Sequence, residues 1–189
     1  MTQDSPVALD LPLPDPLPER TQALFDLCQE KLGRVPNVLR VYASDSDRLD
    51  GFMAVYNATM QGETGLSKLE REMIAVVVSA INGCHYCLVA HGYAVRAQSG
   101  DPKLGEALVM NWRAADLDPR QTAMLRFAEK MTRASAEIDE ADRQALRDAG
   151  FDDAEIWDIA NVVGFFNMTN RIASATGMRP NDDYHALAR

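Results

Sequence analysis

The stretch NGCHYCLVAH, residues 82–91, sets two thiols and an imidazole inside a long apolar run. On one helix, Cys84, Cys87 and His91 fall at about 0°, 300° and 340° around the axis, so the three share one narrow face. His91 lies one turn beyond Cys87, at i+4, within reach of its sulfur. Asn82-Gly83 is a natural break, which starts a new helix with Cys84 in its first turn. Unpaired N–H groups and the helix dipole there favour thiolate, and single out Cys84 as the more acidic thiol. A neighbouring imidazole that accepts a thiol proton singles out Cys87 instead.

Three chemistries fit these residues. The first is none: cysteine packs well as a small hydrophobe in a buried helix. The second is zinc, which wants three or four ligands in tetrahedral array. Cys84, Cys87 and His91 supply three, no second CxxC or HxxxH exists, and His185 lies far off near the end of the chain. The third is redox chemistry, which needs two thiols able to form a disulfide and one acid–base group. The stretch holds all of these. Glu72 is a further candidate, standing amid the apolar run EREMIAVVV. By local pattern it fits equally well on a solvated face beside Glu70 and Arg71. In one continuous rod Glu72 would sit about 18 Å from Cys84, so only a fold-back at Asn82-Gly83, or another element, brings it to the thiols.

The elements around these residues read as helices throughout. Helical spacing predicts segments at 20–33, 35–43, 46–61, 67–82, from Cys84 to about Ser99, 103–111, 118–133, 139–150 and 152–177. Ser67 and Glu70 form a capping box, and Asp118 with Pro119 opens a later helix. The β-branched run AVVV lies inside a capped helical window, so the fold class is all-α. Residues 1–18 carry five prolines and cannot form a helix, so they read as an extended arm. Leu9, Leu11, Leu13 and Leu17 in that arm point to cover from its own domain or a neighbouring subunit. The expected organisation is an arm at 1–18, a helical domain at 19–180 and a tail at 181–189. Cys28, Trp112 and Trp157 read as packing residues, and Phe165 and Phe166 as core or pocket wall.

A formal charge of −9 makes the surface acidic, which argues against nucleic acid and anionic membrane as partners. The first residues carry acids where a secretory signal needs bases, and MIAVVVSAI is too short to span a bilayer. Three cysteines, an odd number, do not form a secreted disulfide framework. The expectation is a cytoplasmic protein.

The pattern Glu, eleven residues, Cys-x-x-Cys, three residues, His resembles the motif of AhpD-like alkylhydroperoxidases in the carboxymuconolactone decarboxylase superfamily. Glu72, Cys84, Cys87 and His91 meet every spacing. LDPRQTAMLRFAEKMTR and AGFDDAEIWDIANVVGFFNMTNRIA are similar to the later part of the peroxidase-related subgroup, so the resemblance runs over about residues 20–178. It implies an AhpD-like helical bundle and a thiol peroxidase that needs no flavin, haem or metal. Cys87 would be the peroxidatic thiolate, Cys84 would resolve its sulfenic acid, and His91 and Glu72 would relay protons. The partners implied are a hydroperoxide and a dithiol reductant. Assembly as a trimer or a hexamer is implied too, and the apolar circumference of 152–177 agrees with it. One departure stands out: the best-characterised relatives carry a histidine immediately before the second cysteine, where this chain has Tyr86. Members without the cysteine pair do other chemistry, so the cysteines carry the inference and the fold does not. General thiol–disulfide exchange and redox sensing are the alternatives for the same pair.

Overall fold

A computed structural model of the chain describes residues 5–189. Those residues form α-helices and short helical turns without a strand, as the spacing predicts. α1 (Glu19–Leu32), α2 (Asn37–Tyr42) and α3 (Ser46–Tyr56) come first. α3 passes into a π-helical turn at Asn57–Gln61, where the sequence alone suggests an uninterrupted helix.

α4 (Lys68–Asn82) is the central element. Its box closes in both directions: the Glu70 N–H donates to Ser67 Oγ at 3.1 Å, and the Ser67 N–H donates to Glu70 Oε2 at 2.7 Å. Neighbours pack around it: α5 (His85–Ser99), α6 (Pro102–Asn111), α7 (Pro119–Arg133) and α9 (Asp153–Thr176), while α8 (Glu140–Asp148) braces α7. This explains the run MIAVVV. Residues Met73 through Val78 are all fully buried because a helix walled on several sides needs apolar side chains on all of them.

The arm lies back along its own domain. The Ala8 N–H donates to the Thr176 carbonyl at 3.0 Å and the Arg179 N–H to the Pro6 carbonyl at 2.9 Å, which fixes Val7 in a buried position. Leu9, Leu11 and Leu13 remain exposed. Residues 1–4 of the expected arm lie outside the described residues. The tail docks as well: Arg96 Nη2 donates to the carbonyls of Tyr184 at 3.0 Å and Leu187 at 3.1 Å. His185 is exposed.

Trp112 is buried and donates its indole N–H to Glu129 Oε2 at 2.9 Å. Trp157 corrects the packing expectation. It is 70% exposed, on the outer face of α9 with Met168 and Ile172. Among the described residues no helix is long and apolar enough to cross a membrane.

Candidate active site

The site is built by the reversal between α4 and α5. Gly83 ends α4 in the left-handed region, at φ 64°, where a Cβ would be strained. The Cys84 N–H closes back onto the Ser79 carbonyl at 3.0 Å, which satisfies a helix-end acceptor. The chain then turns into α5 with Cys84 as its N-cap and Cys87 in the first turn. This shifts the reading of the sequence by one position: Cys84 stands just ahead of the first helical residue. The Cys-x-x-Cys spacing therefore spans N-cap to N3, the two positions that a capping box also brings together.

The same reversal carries Glu72 to the site. Eleven residues of α4 run from Asn82 back to Glu72 and seven of α5 run from His85 to His91, so the two side chains meet in the hairpin. Glu72 Oε2 accepts a hydrogen bond from His91 Nδ1 at 2.6 Å. Glu72 is only 8% exposed at its side chain, which removes the solvated-face reading. The carboxylate fixes the hydrogen on Nδ1 and leaves Nε2 as the ring nitrogen free to exchange a proton. Phe166 packs edge-on against the imidazole with ring centres 4.6 Å apart, which holds the ring plane.

Both thiols are buried. They differ in what they face. Cys87 lines an apolar cavity of about 360 Å³ together with His91 and Glu72, whereas Cys84 does not reach it. Cys84 sits in a small apolar cluster with Val7, Val41, Ala173 and Met178. The Cys87 S–H bonds to the Cys84 sulfur and lowers the Cys84 thiol to about 6, with the charge of His91 adding to the effect. The shared hydrogen bond, then burial, push Cys87 upward. The pair thus sheds one proton easily and holds the second between two sulfurs, so its titration belongs to the pair. Resting charge favours Cys84, and access from the cavity favours Cys87.

Tyr86 holds the position immediately before the second cysteine. It is buried, its hydroxyl accepts the Val38 N–H at 3.1 Å, and burial raises the phenol far above its ordinary value. It keeps its proton and ties α5 to α2.

Several site residues escape sequence reasoning. α1, α2 and α3 supply one wall of the cavity through Cys28, Tyr42, Phe52 and Tyr56. The Tyr42 and Phe52 rings stack with centres 4.5 Å apart. Cys28 is buried as expected, but it also faces this space. Asn170 on α9 donates its amide N–H to Ser79 Oγ on α4 at 3.0 Å, both fully buried. The signal for Asn170 was its place as a polar residue in an apolar helix. Among the described residues, no group of three or more His, Cys, Asp or Glu side chains is arranged to hold a metal ion.

Residues 47–130 match the model of the carboxymuconolactone decarboxylase family. The chain is 66% identical to an uncharacterized peroxidase-related protein from Silicibacter sp. TM1040, with a TM-score of 0.97 over 100% of this chain and 99% of that one. The arm and the tail thus fall inside the likeness, which is longer than residues 20–178. A peroxidase-related protein from Ralstonia eutropha JMP134, described as an alkylhydroperoxidase AhpD core, is 42% identical, with a TM-score of 0.94 over 97% of each chain. The debrominase Bmp8, solved with 2,3,4-tribromopyrrole, shares the fold at 17% identity, with a TM-score of 0.78 over 93% of this chain and 92% of that one. No curated protein matches the chain. With a near-full-length relative at two-thirds identity and the family model over its central helices, the chain belongs to the AhpD-like, carboxymuconolactone decarboxylase superfamily.

Proposed function

We propose that the chain is a thiol peroxidase that reduces organic hydroperoxides through Cys84 and Cys87. The observation that carries this reading is the placement of Cys87 on an apolar cavity beside the His91–Glu72 pair, with a second thiol directly behind it. In the first step the Cys87 thiolate attacks the terminal peroxide oxygen. The O–O bond breaks, Cys87 becomes a sulfenic acid, and the leaving alkoxide takes a proton delivered through His91 Nε2. In the second step Cys84 gives up its proton and its thiolate attacks the Cys87 sulfur; the S–O bond breaks, and the leaving hydroxide takes that proton and departs as water, forming the disulfide. The two thiols lose two electrons and the hydroperoxide becomes an alcohol and water. A dithiol then reduces the disulfide and restores both thiols. The sulfurs carry the electrons throughout, so the cycle calls for no flavin, haem or metal.

Glu72 holds the imidazole and its tautomer rather than touching the peroxide. The burial of both thiols, at 1% and 4% exposure, favours a small oxidant that enters the cavity over a protein disulfide that must dock on the sulfurs. The debrominase likeness lies in the fold alone, and the cysteine pair decides the chemistry here. A close cysteine pair that works by thiol chemistry suits the reducing cytoplasm.

We also place the chain in a homo-oligomer, a trimer or a hexamer. Trp157, Met168 and Ile172 form an exposed apolar stripe on α9, and Leu9, Leu11 and Leu13 are exposed on the arm. The activity is tested by steady-state consumption of cumene hydroperoxide with dithiothreitol as reductant. Turnover that exceeds the enzyme concentration supports the reading, and a rate equal to that of dithiothreitol alone rejects it.

A further inference from the structure

The cavity on which Cys87 opens is far larger than a peroxide group requires. At about 360 Å³ it falls within the range of about 300–1,000 Å³ that holds a whole organic ligand. One wall is a row of rings. Tyr42 stacks on Phe52 with centres 4.5 Å apart, and Phe52 meets Phe165 at 5.7 Å. Phe165 meets Phe166 edge-on at 5.3 Å, and Phe166 meets His91 edge-on at 4.6 Å. The row starts on α2, crosses α3 and α9, and ends on the imidazole of α5. A molecule whose reactive group lies at Cys87 and His91 therefore has its body beside aromatic faces and edges.

The charges of this cavity are already partnered. Among the described residues, its lining holds one carboxylate, Glu72, and one guanidinium, Arg34. Glu72 accepts from His91 Nδ1 at 2.6 Å. Arg34 is ion-paired with Asp183, and its guanidinium lies over the Tyr184 ring, 5.4 Å from the ring centre. Tyr184 is itself stacked on Tyr93 with centres 5.5 Å apart. The C-terminal segment thus supplies both partners of Arg34. Asn181 fastens that segment to the start of α2: its Oδ1 accepts the Asn37 N–H at 2.8 Å, and its Nδ2 donates to the Val35 carbonyl at 3.1 Å. A carboxylate brought into this space meets Glu72 and a thiolate, both negative, and a cation that Asp183 has neutralised. It would give up its hydration without gaining a partner, which is unfavourable.

We propose that the substrate of this site is an uncharged hydroperoxide bearing an aromatic ring, and that Asp183 excludes anionic hydroperoxides by occupying Arg34. The inference rests on the peroxidase reading for the peroxide group and on the cavity for the rest of the molecule. An aromatic body is favoured on the ring row twice, by burial and by ring–ring contacts that an alkyl body does not make. An uncharged body leaves both charge pairs undisturbed.

The test compares tertiary hydroperoxides with the same reacting group on the full-length chain, with dithiothreitol as reductant: cumene hydroperoxide, its para-carboxylate and tert-butyl hydroperoxide. After correction for the rate with a free thiol, kcat/KM should be at least about tenfold higher for cumene hydroperoxide than for either of the others. Asp183→Asn, at an exposed position, should narrow the gap between cumene hydroperoxide and its carboxylate by about threefold, because it leaves Arg34 unpaired. Phe52→Leu keeps an apolar side chain but removes a ring, and should lower the ratio of cumene to tert-butyl hydroperoxide by about threefold. A second readout uses no peroxide. The corresponding alcohols, which cannot oxidise a thiol, are tested for slowing the alkylation of Cys87 by iodoacetamide, followed by peptide mass. Cumyl alcohol should protect Cys87, and its para-carboxylate and tert-butanol at the same concentration should not. Equal kcat/KM for the hydroperoxides overturns the inference while the peroxidase reading stands, and equal protection by the alcohols overturns it too. Protection by cumyl alcohol alone, with no hydroperoxide consumed, rejects the peroxidase reading and upholds the preference of the cavity. An unmoved carboxylate ratio in Asp183→Asn, shown to be folded by circular dichroism, overturns the role of Asp183.

Discussion

The reduced chain should become more stable between pH 6.5 and pH 8.5, and Cys84 should be the cause. The folded state lowers the Cys84 thiol from 9.0 to about 6. A depressed folded value means that the unfolded chain binds the extra proton within this window, so stability rises with pH. The contribution is complete above 9.0 and is lost as pH falls through about 6. One proton is worth about 1.4 kcal/mol per pH unit, and partial titration at both ends of the window leaves about 2 kcal/mol. Cys84 is 1% exposed, so solvent screening removes little of this. Cys87 acts in the opposite sense. Its folded value is raised, so above its unfolded value the fold keeps a proton that the unfolded chain releases, and stability turns down. The assay is urea unfolding by circular dichroism, with a phosphine to keep thiols reduced and the chain concentration fixed. Wild type and Cys84→Ala are compared, and His91 is present in both. The wild-type curve should climb by about 2 kcal/mol more than that of Cys84→Ala across the window. Parallel curves would refute the thiolate argument.

Substitution at the pair should separate the two sulfurs. Cys87→Ser should abolish hydroperoxide consumption, whereas Cys84→Ser should react once and stop with a sulfenic acid on Cys87, trapped by dimedone. A dimedone adduct on Cys84 would reverse the roles. Glu72→Gln keeps the size of the buried side chain but removes the charge that holds His91, and should slow hydroperoxide reduction at pH 7 by at least about tenfold. An unchanged rate would remove Glu72 from the relay. Light scattering at micromolar concentration should give a mass three or six times the 20.9 kDa of one chain, and the mass of a single chain would end the assembly proposal.

The helices were legible because their signals are local. Capping residues, left-handed glycines and the 3.6-residue period act within a few positions, and Ser67, Glu70 and Asp118 perform the capping that their spacing suggests. Cys87 and His91 were legible as one face for the same reason, whereas Cys84 caps the helix from outside it and does not reach the cavity. Glu72 was legible only through the motif, because its neighbours in sequence are Arg71 and a buried apolar run, and by local pattern both faces of the helix suited it. Its place depends on the direction of the reversal after Asn82, which Gly83 permits without dictating. Asn170 and Ser79 lie 91 positions apart, and no local rule joins them. Trp157 shows the converse limit: large apolar residues usually mark the core, yet this one faces outward on a helix whose other sides are covered. The cavity wall was illegible as well, since Tyr42, Phe52 and Tyr56 have the spacing of core residues. That they enclose a space follows from how α2 and α3 lie over α9, with Phe52 and Phe165 ring centres 5.7 Å apart.

The most direct test of the central claim is intact-mass measurement of the reduced chain after one equivalent of cumene hydroperoxide, followed by peptide mapping and then dithiothreitol. The account predicts a loss of two hydrogens, located in a Cys84–Cys87 disulfide with Cys28 still a free thiol, and full recovery of both hydrogens on reduction. Thiols that stay reduced in the presence of the hydroperoxide, or oxidation that settles on Cys28 instead, would contradict it.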